Sequence, residues 1–304
     1  MSFLANLTLQ KRISLLVAIG LIIGLGLFSW LGIQSLNEST QRTLDERLTI
    51  SRIVASHLDE TLNHVLVHVQ IAADFGGELP TKAQFRQSAQ DMAIMLSKSD
   101  FSIEGVYLLD TGGKILESEP HRSEAIGLSA PGYPSADPRL AKGLPTISNL
   151  AYAPLTGEPV VFVTGPILDS RHKNIGAMSA AINVSESGIS GFIEPITLGN
   201  TGYTEIVDSN GVVLARTDPG RPPDPFELSD HPQKFAMLIS QGRATVRTCH
   251  TCHGTLSNPQ RSGRDIIAFA PLKSAGWGVA IRQSETEAFA LAEQLRRRLI
   301  ILGG

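Results

Sequence analysis

The chain is short of most things that announce a chemistry. Among 304 residues there are two cysteines, and 26 Lys plus Arg face 29 Asp plus Glu for a formal net charge of -3. Two cysteines exclude a disulfide-laced miniprotein, and an apolar fraction of 42% excludes a disordered chain. A charge sum near zero, with no basic face standing out, gives no reason to expect nucleic acid as a partner, because phosphate binding needs such a face. Glycine-rich phosphate loops, Ser-His-Asp arrangements and paired acids in a defined frame are also missing, so no catalytic motif is present. The length allows about two domains.

Long uncharged runs are absent too, with one exception. From Ile13 to Ile33 no residue carries a charge. A helix of that length, at about 1.5 Å per residue, crosses the roughly 30 Å hydrocarbon layer once. Lys11 and Arg12 precede it, and Gln34-Ser35-Leu36-Asn37-Glu38 follows. The cation bias therefore predicts residues 1–12 in the cytoplasm, a span over 13–33 with Trp30 at the far interface, and the rest outside the membrane. A cleavable signal peptide is the rival reading, but its apolar core is normally about 7–15 residues before a small-residue cleavage site. Arg296-Arg297-Arg298-Leu299-Ile300-Ile301-Leu302 in the segment 291–304 reads as a C-terminal helix opening a second span that is cut short, with its arginines against the usual bias.

Beyond the first span, Leu44, Leu48, Ile53, Leu58, Leu62, Val65, Val69 and Ala72 recur every three to five residues and predict a stalk helix within 34–79 that ends near Gly76-Gly77. Such a stripe suits packing along the outer domain and along a second copy in a homodimer. A second helix is predicted over 82–98, then strands at 106–109, 114–116, 159–164 and 177–184.

The order then repeats. Asp110-Thr-Gly-Gly-Lys-Ile-Leu116 matches Asp208-Ser-Asn-Gly-Val-Val-Leu214, Phe162 to Ile167 is echoed by Ile267 to Leu272, and Gly176 to Glu186 by Gly276 to Glu285. Three matches in one order at nearly one offset indicate two copies of an α+β unit, 80–187 and 188–290, each an antiparallel sheet with helices to one side.

With anchor and long helix, the segments Gly105 to Asp110, Ile147 to Tyr152 before Val160 to Pro166, Gly202-Tyr203 to Asp208 and Gly276-Trp277-Gly278-Val279 resemble the double Cache sensor domains of bacterial histidine kinases, chemoreceptors and cyclic-dinucleotide enzymes. The resemblance implies two tandem PAS-like modules, the membrane-distal one holding a small molecule and the proximal one leading back into the bilayer. It also implies a kinase, methyl-accepting or cyclase output domain beyond residue 304. In the amino-acid-binding subgroup an aromatic, Arg, Trp and Asp cluster would stand in the first module. Here Gly132 to Arg139 occupies that place, and Ala181 stands where an acid would, so no amino acid is named. Tyr152 takes the expected aromatic position and Arg139 could meet an anion; with Tyr107 and Tyr133 they form the candidate small-ligand pocket.

Both cysteines fall in Cys249-His250-Thr251-Cys252-His253, a C-x-x-C-H motif. That spacing suits covalent haem c: Cys249 and Cys252 would add to its vinyl groups and His253 would present a proximal nitrogen to the iron. The predicted outer location agrees with where such attachment occurs. A structural disulfide remains open, as do a zinc site that includes His250 and thioredoxin-like exchange, though the last needs a helix N-terminus. A distal haem ligand would come from His231 or Met237, or from the more distant His121, His172, His64 or His68. An open sixth position favours sensing a gas such as NO, CO or oxygen, and a filled one favours sensing redox poise. His64 and His68 share a helix face but have no acid at the spacing a metal site needs, so they read as solvated. The sequence thus points to a receptor that senses through haem, a small ligand, or both. A membrane-tethered monohaem electron carrier is the rival from another class, although a carrier has little use for two sensor modules.

Overall fold

In the computed structural model the described residues are 9–98, 101–131, 133, 137–185, 188–217, 227–250 and 264–303. The predicted span and stalk form one helix, α1 (Leu9–Ala72), 64 residues long. Its apolar first third is exposed, with Leu16 and Ile22 open to the surroundings, and is long and apolar enough by length and composition to cross a bilayer. The helix stops slightly earlier than predicted, and Gly76 and Gly77 follow with positive φ, which glycine adopts without a Cβ penalty. Beyond it, α2 (Lys82–Ser97) begins in a capping box in which Thr81 and Gln84 each satisfy the other's backbone N–H.

Two antiparallel sheets follow. The first contains β1 (Ile103–Leu109), β2 (Ile115–Glu119), β3 (Thr146–Ile147), β4 (Ala151–Tyr152), β5 (Pro159–Leu168) and β6 (Asn174–Asn183) in the order β2-β1-β6-β5-β3, with β4 also on β5; the short helix α3 (Pro138–Ala141) precedes β3. In the second, β7 (Tyr203–Asp208), β8 (Val213–Arg216), β9 (Thr245–His250), β10 (Arg264–Pro271) and β11 (Trp277–Ser284) run in the order β8-β7-β11-β10-β9, and α4 (Pro232–Ser240) lies between β8 and β9. The orders are the same once β4 is set aside. The repeated Asp turn is the same object twice. Asp110 accepts at one oxygen from the N–H groups of Gly112 and Lys114, Asp208 accepts likewise from Asn210 and Val212, and Gly113 and Gly211 both take positive φ.

A strand sends alternate residues to opposite faces, so burial separates the two sides of each sheet. Toward α1 and α2 the first sheet presents Val106, Leu108, Val161, Val163, Met178 and Ala180, and the second presents Ile206, Leu214, Ala270 and Val279; all join Leu58, Leu62, Val65, Val69, Phe85 and Met92 in one core. Gly165 permits the closest approach, since a Cβ there would lie 2.9 Å from the carbonyl oxygen of Val69. The expectation of helices on one side holds for α1 and α2. It is corrected for α4, whose Phe235 and Leu238 pack on Val207, Phe269 and Ala280, on the far face of the second sheet.

Contacts along α1 order the sheets relative to the apolar run. Arg47 donates to Gln283 of β11 (3.0 Å), Asp59 takes the backbone N–H groups of Lys273 and Ser274, and Gln70 reaches the Pro166 carbonyl of β5. From Arg47 to Gln70 the helix rises about 35 Å, so the second sheet lies nearer the apolar run and the first sheet lies farther out. At the near end, α5 (Glu285–Ala288) and α6 (Ala290–Gly303) continue from β11, and α6 packs along α1. Glu287 fastens that exit. Its carboxylate accepts from Asn200 N (2.6 Å) and Thr201 N (2.8 Å), and these bonds with that from the Thr201 hydroxyl hold its pKa below the ordinary glutamate value. A carboxyl whose folded pKa is depressed stabilises above its unfolded pKa and loses that contribution as pH falls through the folded one. Amide exchange at Asn200 and Thr201 is therefore expected to accelerate as pH drops below the usual glutamate range, beyond the intrinsic pH trend, and Glu287→Gln should remove that extra dependence.

Candidate functional site

The faces turned away from α1 decide which module can take a ligand. On the first sheet this floor is made by Gly105, Tyr107 and Leu109 of β1, Ser118 of β2, Val160, Phe162 and Thr164 of β5, and Ala177, Ser179 and Ala181 of β6. Tyr107 and Phe162 meet at a 6.3 Å centroid separation, and the Thr164 and Ser179 hydroxyls, both buried, bond each other at 2.7 Å. Burial, then the Glu104 carboxylate, raises the Tyr107 pKa while Arg122 opposes, so its hydroxyl keeps its proton. Ala125, Ala130 and Ala153 cover the floor, with Tyr133 at the margin against Gly113.

In the second sheet the matching positions are filled. Register equates Gly105 and Ala181, which pair across β1 and β6, with Tyr203 and Arg282, which pair across β7 and β11; likewise Tyr107 and Ser118 match Glu205 and Arg216. Where the first floor is small and neutral, the second holds a buried ion network. Arg282 meets Glu205 (3.0 Å) and Asp230 (2.7 Å), and Arg216 meets Glu205 (2.9 Å) and Glu227 (2.9 Å). Burial works against the charge on Arg282, but Glu205 and its other neighbours outweigh it and raise its pKa, while burial raises that of Tyr203. Phe235 lies under the Arg282 guanidinium at 5.6 Å and stacks on Phe269 at 5.0 Å. The second floor is closed by its own side chains and by α4.

The four residues predicted as a small-ligand pocket do not stay together. Tyr107 is on the floor and Tyr133 at its margin, while Tyr152 on β4 is half exposed. Arg139 extends to the second module, where Nη1 donates to the Ser274 carbonyl (3.0 Å). It lies in a junction that sequence reasoning missed. Trp277 Nε1 donates to the Ser148 carbonyl (3.1 Å), Asn149 bonds the Ser209 hydroxyl (2.7 Å), and the Leu150 N–H reaches an Asp208 oxygen (3.0 Å). Burial raises the Asp208 pKa against the pull of these backbone bonds.

The cysteine motif begins at the end of β9. Cys249 and His250 end β9, paired with Asp265 and Arg264; Cys252 and His253 lie outside the described residues. A strand position is not the helix N-terminus that thioredoxin-like exchange requires. Among the candidate distal ligands, His231 sits at the N-cap of α4 and Met237 is half exposed on it. His121 bonds Glu117 (2.6 Å), His172 occupies the β5–β6 turn with positive φ, and His64 and His68 lie on α1. No group of three or more metal-ligating side chains occurs among the described residues.

The family model described as Cache domain, of the dCache_1 type, matches residues 33–292. The chain belongs to the Cache domain family. Solved Cache-like folds agree with the tandem architecture. The extracellular domain of the putative histidine kinase rpHK1S-Z16 superposes with a TM-score of 0.56 at 14% identity, covering 82% of this chain and 98% of that one. The ligand-binding domain of the Pseudomonas aeruginosa amino acid chemoreceptor PctB with L-Gln gives 0.55 at 16% identity, covering 81% and 93%. That of the Pseudomonas fluorescens chemoreceptor CtaA with L-leucine gives 0.57 at 13%, covering 83% and 99%. No curated protein sequence matches this chain. As a double Cache protein the chain is a sensor domain, with its first module outermost along α1.

Proposed function

We propose that this Cache chain is the extracytoplasmic input part of a bacterial inner-membrane receptor, with modules at 80–187 and 188–290 signalling through α1 and α6. One observation carries the reading: a single unbroken helix links the apolar run to the cores of both sheets, so a change in either module bears on the segment at the bilayer. The first floor is the place for a small molecule, because small neutral side chains stand there where the second module is filled by Arg282 and Tyr203. A homodimer through the stalk is supported by Ile53, Val67 and Ile71, apolar residues left exposed along α1 outside the core. Two arrangements of that pair differing by a few kcal/mol would suffice for signalling.

The motif Cys249, Cys252 and His253 adds covalent haem c to this reading, with His231 or Met237 as distal ligand. What supports it is the donor set and its place: β9 is the edge strand, so among the described residues no strand pairs on its outer side, which leaves room for a bulky group. Bound there, haem would supply a redox or gas-responsive centre. The test is a pyridine haemochrome spectrum of protein made together with haem-attachment machinery. An alpha-band absorption that Cys249→Ser plus Cys252→Ser abolishes is the expected result, and its absence would sink the haem claim in favour of a structural disulfide, which thiol titration would then register. Potentiometric titration and CO binding separate a gas sensor from an electron carrier.

A further inference from the structure

We propose that the β10–β11 turn, residues 272–276, is the joint through which the first module moves α1, with Asp59 as its clamp; this rests on reading the chain as a receptor. The turn is held from two sides at one residue. From α1, the Asp59 carboxylate accepts from Lys273 N (2.8 Å), Ser274 N (2.8 Å) and the Ser274 hydroxyl. From the first module, Arg139 Nη1 donates to the carbonyl of the same Ser274 (3.0 Å). From the first-module side, two routes run back to the candidate floor. Asp137, which caps α3 through the Arg139 N–H, also binds the Thr146 hydroxyl (2.7 Å), and β3 pairs Thr146 with Thr164 and Ile147 with Val163. Ser148 accepts from Trp277 at its carbonyl, and its hydroxyl accepts from the N–H of Phe162 (2.8 Å). A shift of β5 under a ligand therefore reaches Ser274 and Trp277 through residues 137–148.

On the α1 side, Leu272 and Ala275 of the turn are buried in the shared core, and packing beside them is incomplete. A groove of about 730 Å³ runs between helix and sheet there, lined among others by Arg52, Asp59, His64, Ala244 and Lys273. Tightly packed contacts are bistable or rigid, whereas a polar clamp beside a groove lets the turn move and still pull on the helix. Asp59 is a positioning residue in this joint and Arg139 its lever.

The test is hydrogen exchange on the full chain in detergent, which needs no ligand and so is decided separately from the haemochrome result. Arg139→Ala is expected to speed exchange at Lys273 and Ser274, and at α1 residues 55–63, which Arg139 does not touch, by about fivefold or more, the low end of ordinary coupling. Arg139→Lys, which keeps a cationic donor, should restore part of the protection and guards against a folding defect. Asp59→Asn should affect the same amides, and the double variant should fall short of the product of the two. Faster exchange confined to residues 137–150, or independent multiplicative effects, would overturn the joint.

Discussion

Arg282→Ala is expected to destabilise the second module by about 3–5 kcal/mol, the usual result of removing one partner from a buried ion pair. The side chain of Arg282 is 3% exposed and that of Glu205 0%, so the carboxylate cannot recover its lost neighbour from water. Arg216 still holds the other Glu205 oxygen at 2.9 Å, and Asp230, 26% exposed, can turn outward. Those facts favour the lower half of the range. Glu205→Ala strips a partner from both arginines and should cost at least as much. Replacing Arg282 and Glu205 together by Met and Leu should recover much of the loss, because apolar groups of similar volume often do as well as a buried pair. In a thermal melt followed by tryptophan fluorescence, Arg282→Ala should lower the midpoint by on the order of 10 °C. A shift within one or two degrees would mean that water reaches the network.

Trp277→Ala should cost about as much, 3–5 kcal/mol, for a different reason. The indole is fully buried at the start of β11, within the core shared by α1 and both sheets, and its Nε1 is bonded to the Ser148 carbonyl of the first module. Truncation leaves a cavity, an unpaired carbonyl and a weaker junction at once. Two calorimetric transitions should then replace one, since among the described residues few other hydrogen bonds join the modules: those of Arg139, Asn149 and Leu150. Trp277→Phe keeps most of the volume but not the donor, so its loss should be smaller and combine the lost hydrogen bond with a small cavity. A single transition at an unchanged midpoint in Trp277→Ala would show that α1 alone holds the modules together.

Local pattern made much of this fold readable. The stalk was visible because apolar residues fall on one stripe, and the two modules because Asp110 and Asp208 begin the same turn, which sequence spacing alone defines. The filled second floor has a local signal: Glu205 and Arg282 stand beside apolar residues within β7 and β11, where a buried charge demands a partner. Arg139 and Asp59 gave no such signal. A surface-type charge on a short helix and another on a long one look like solvated residues until the chain brings Ser274 between them.

The apolar run, the long helix, the doubled α+β unit and the C-x-x-C-H spacing are legible along the chain, because each is encoded by neighbours within a few turns or strands. Which floor carries small neutral residues and which a buried ion network was set in three dimensions, as was the place of Arg139 at the junction between modules. Those outcomes depend on which residues from distant strands meet across β1 and β6 or across β7 and β11. Hydrogen bonds and ion pairs act over a few ångströms in space, and the distance along the chain between their partners leaves no local trace.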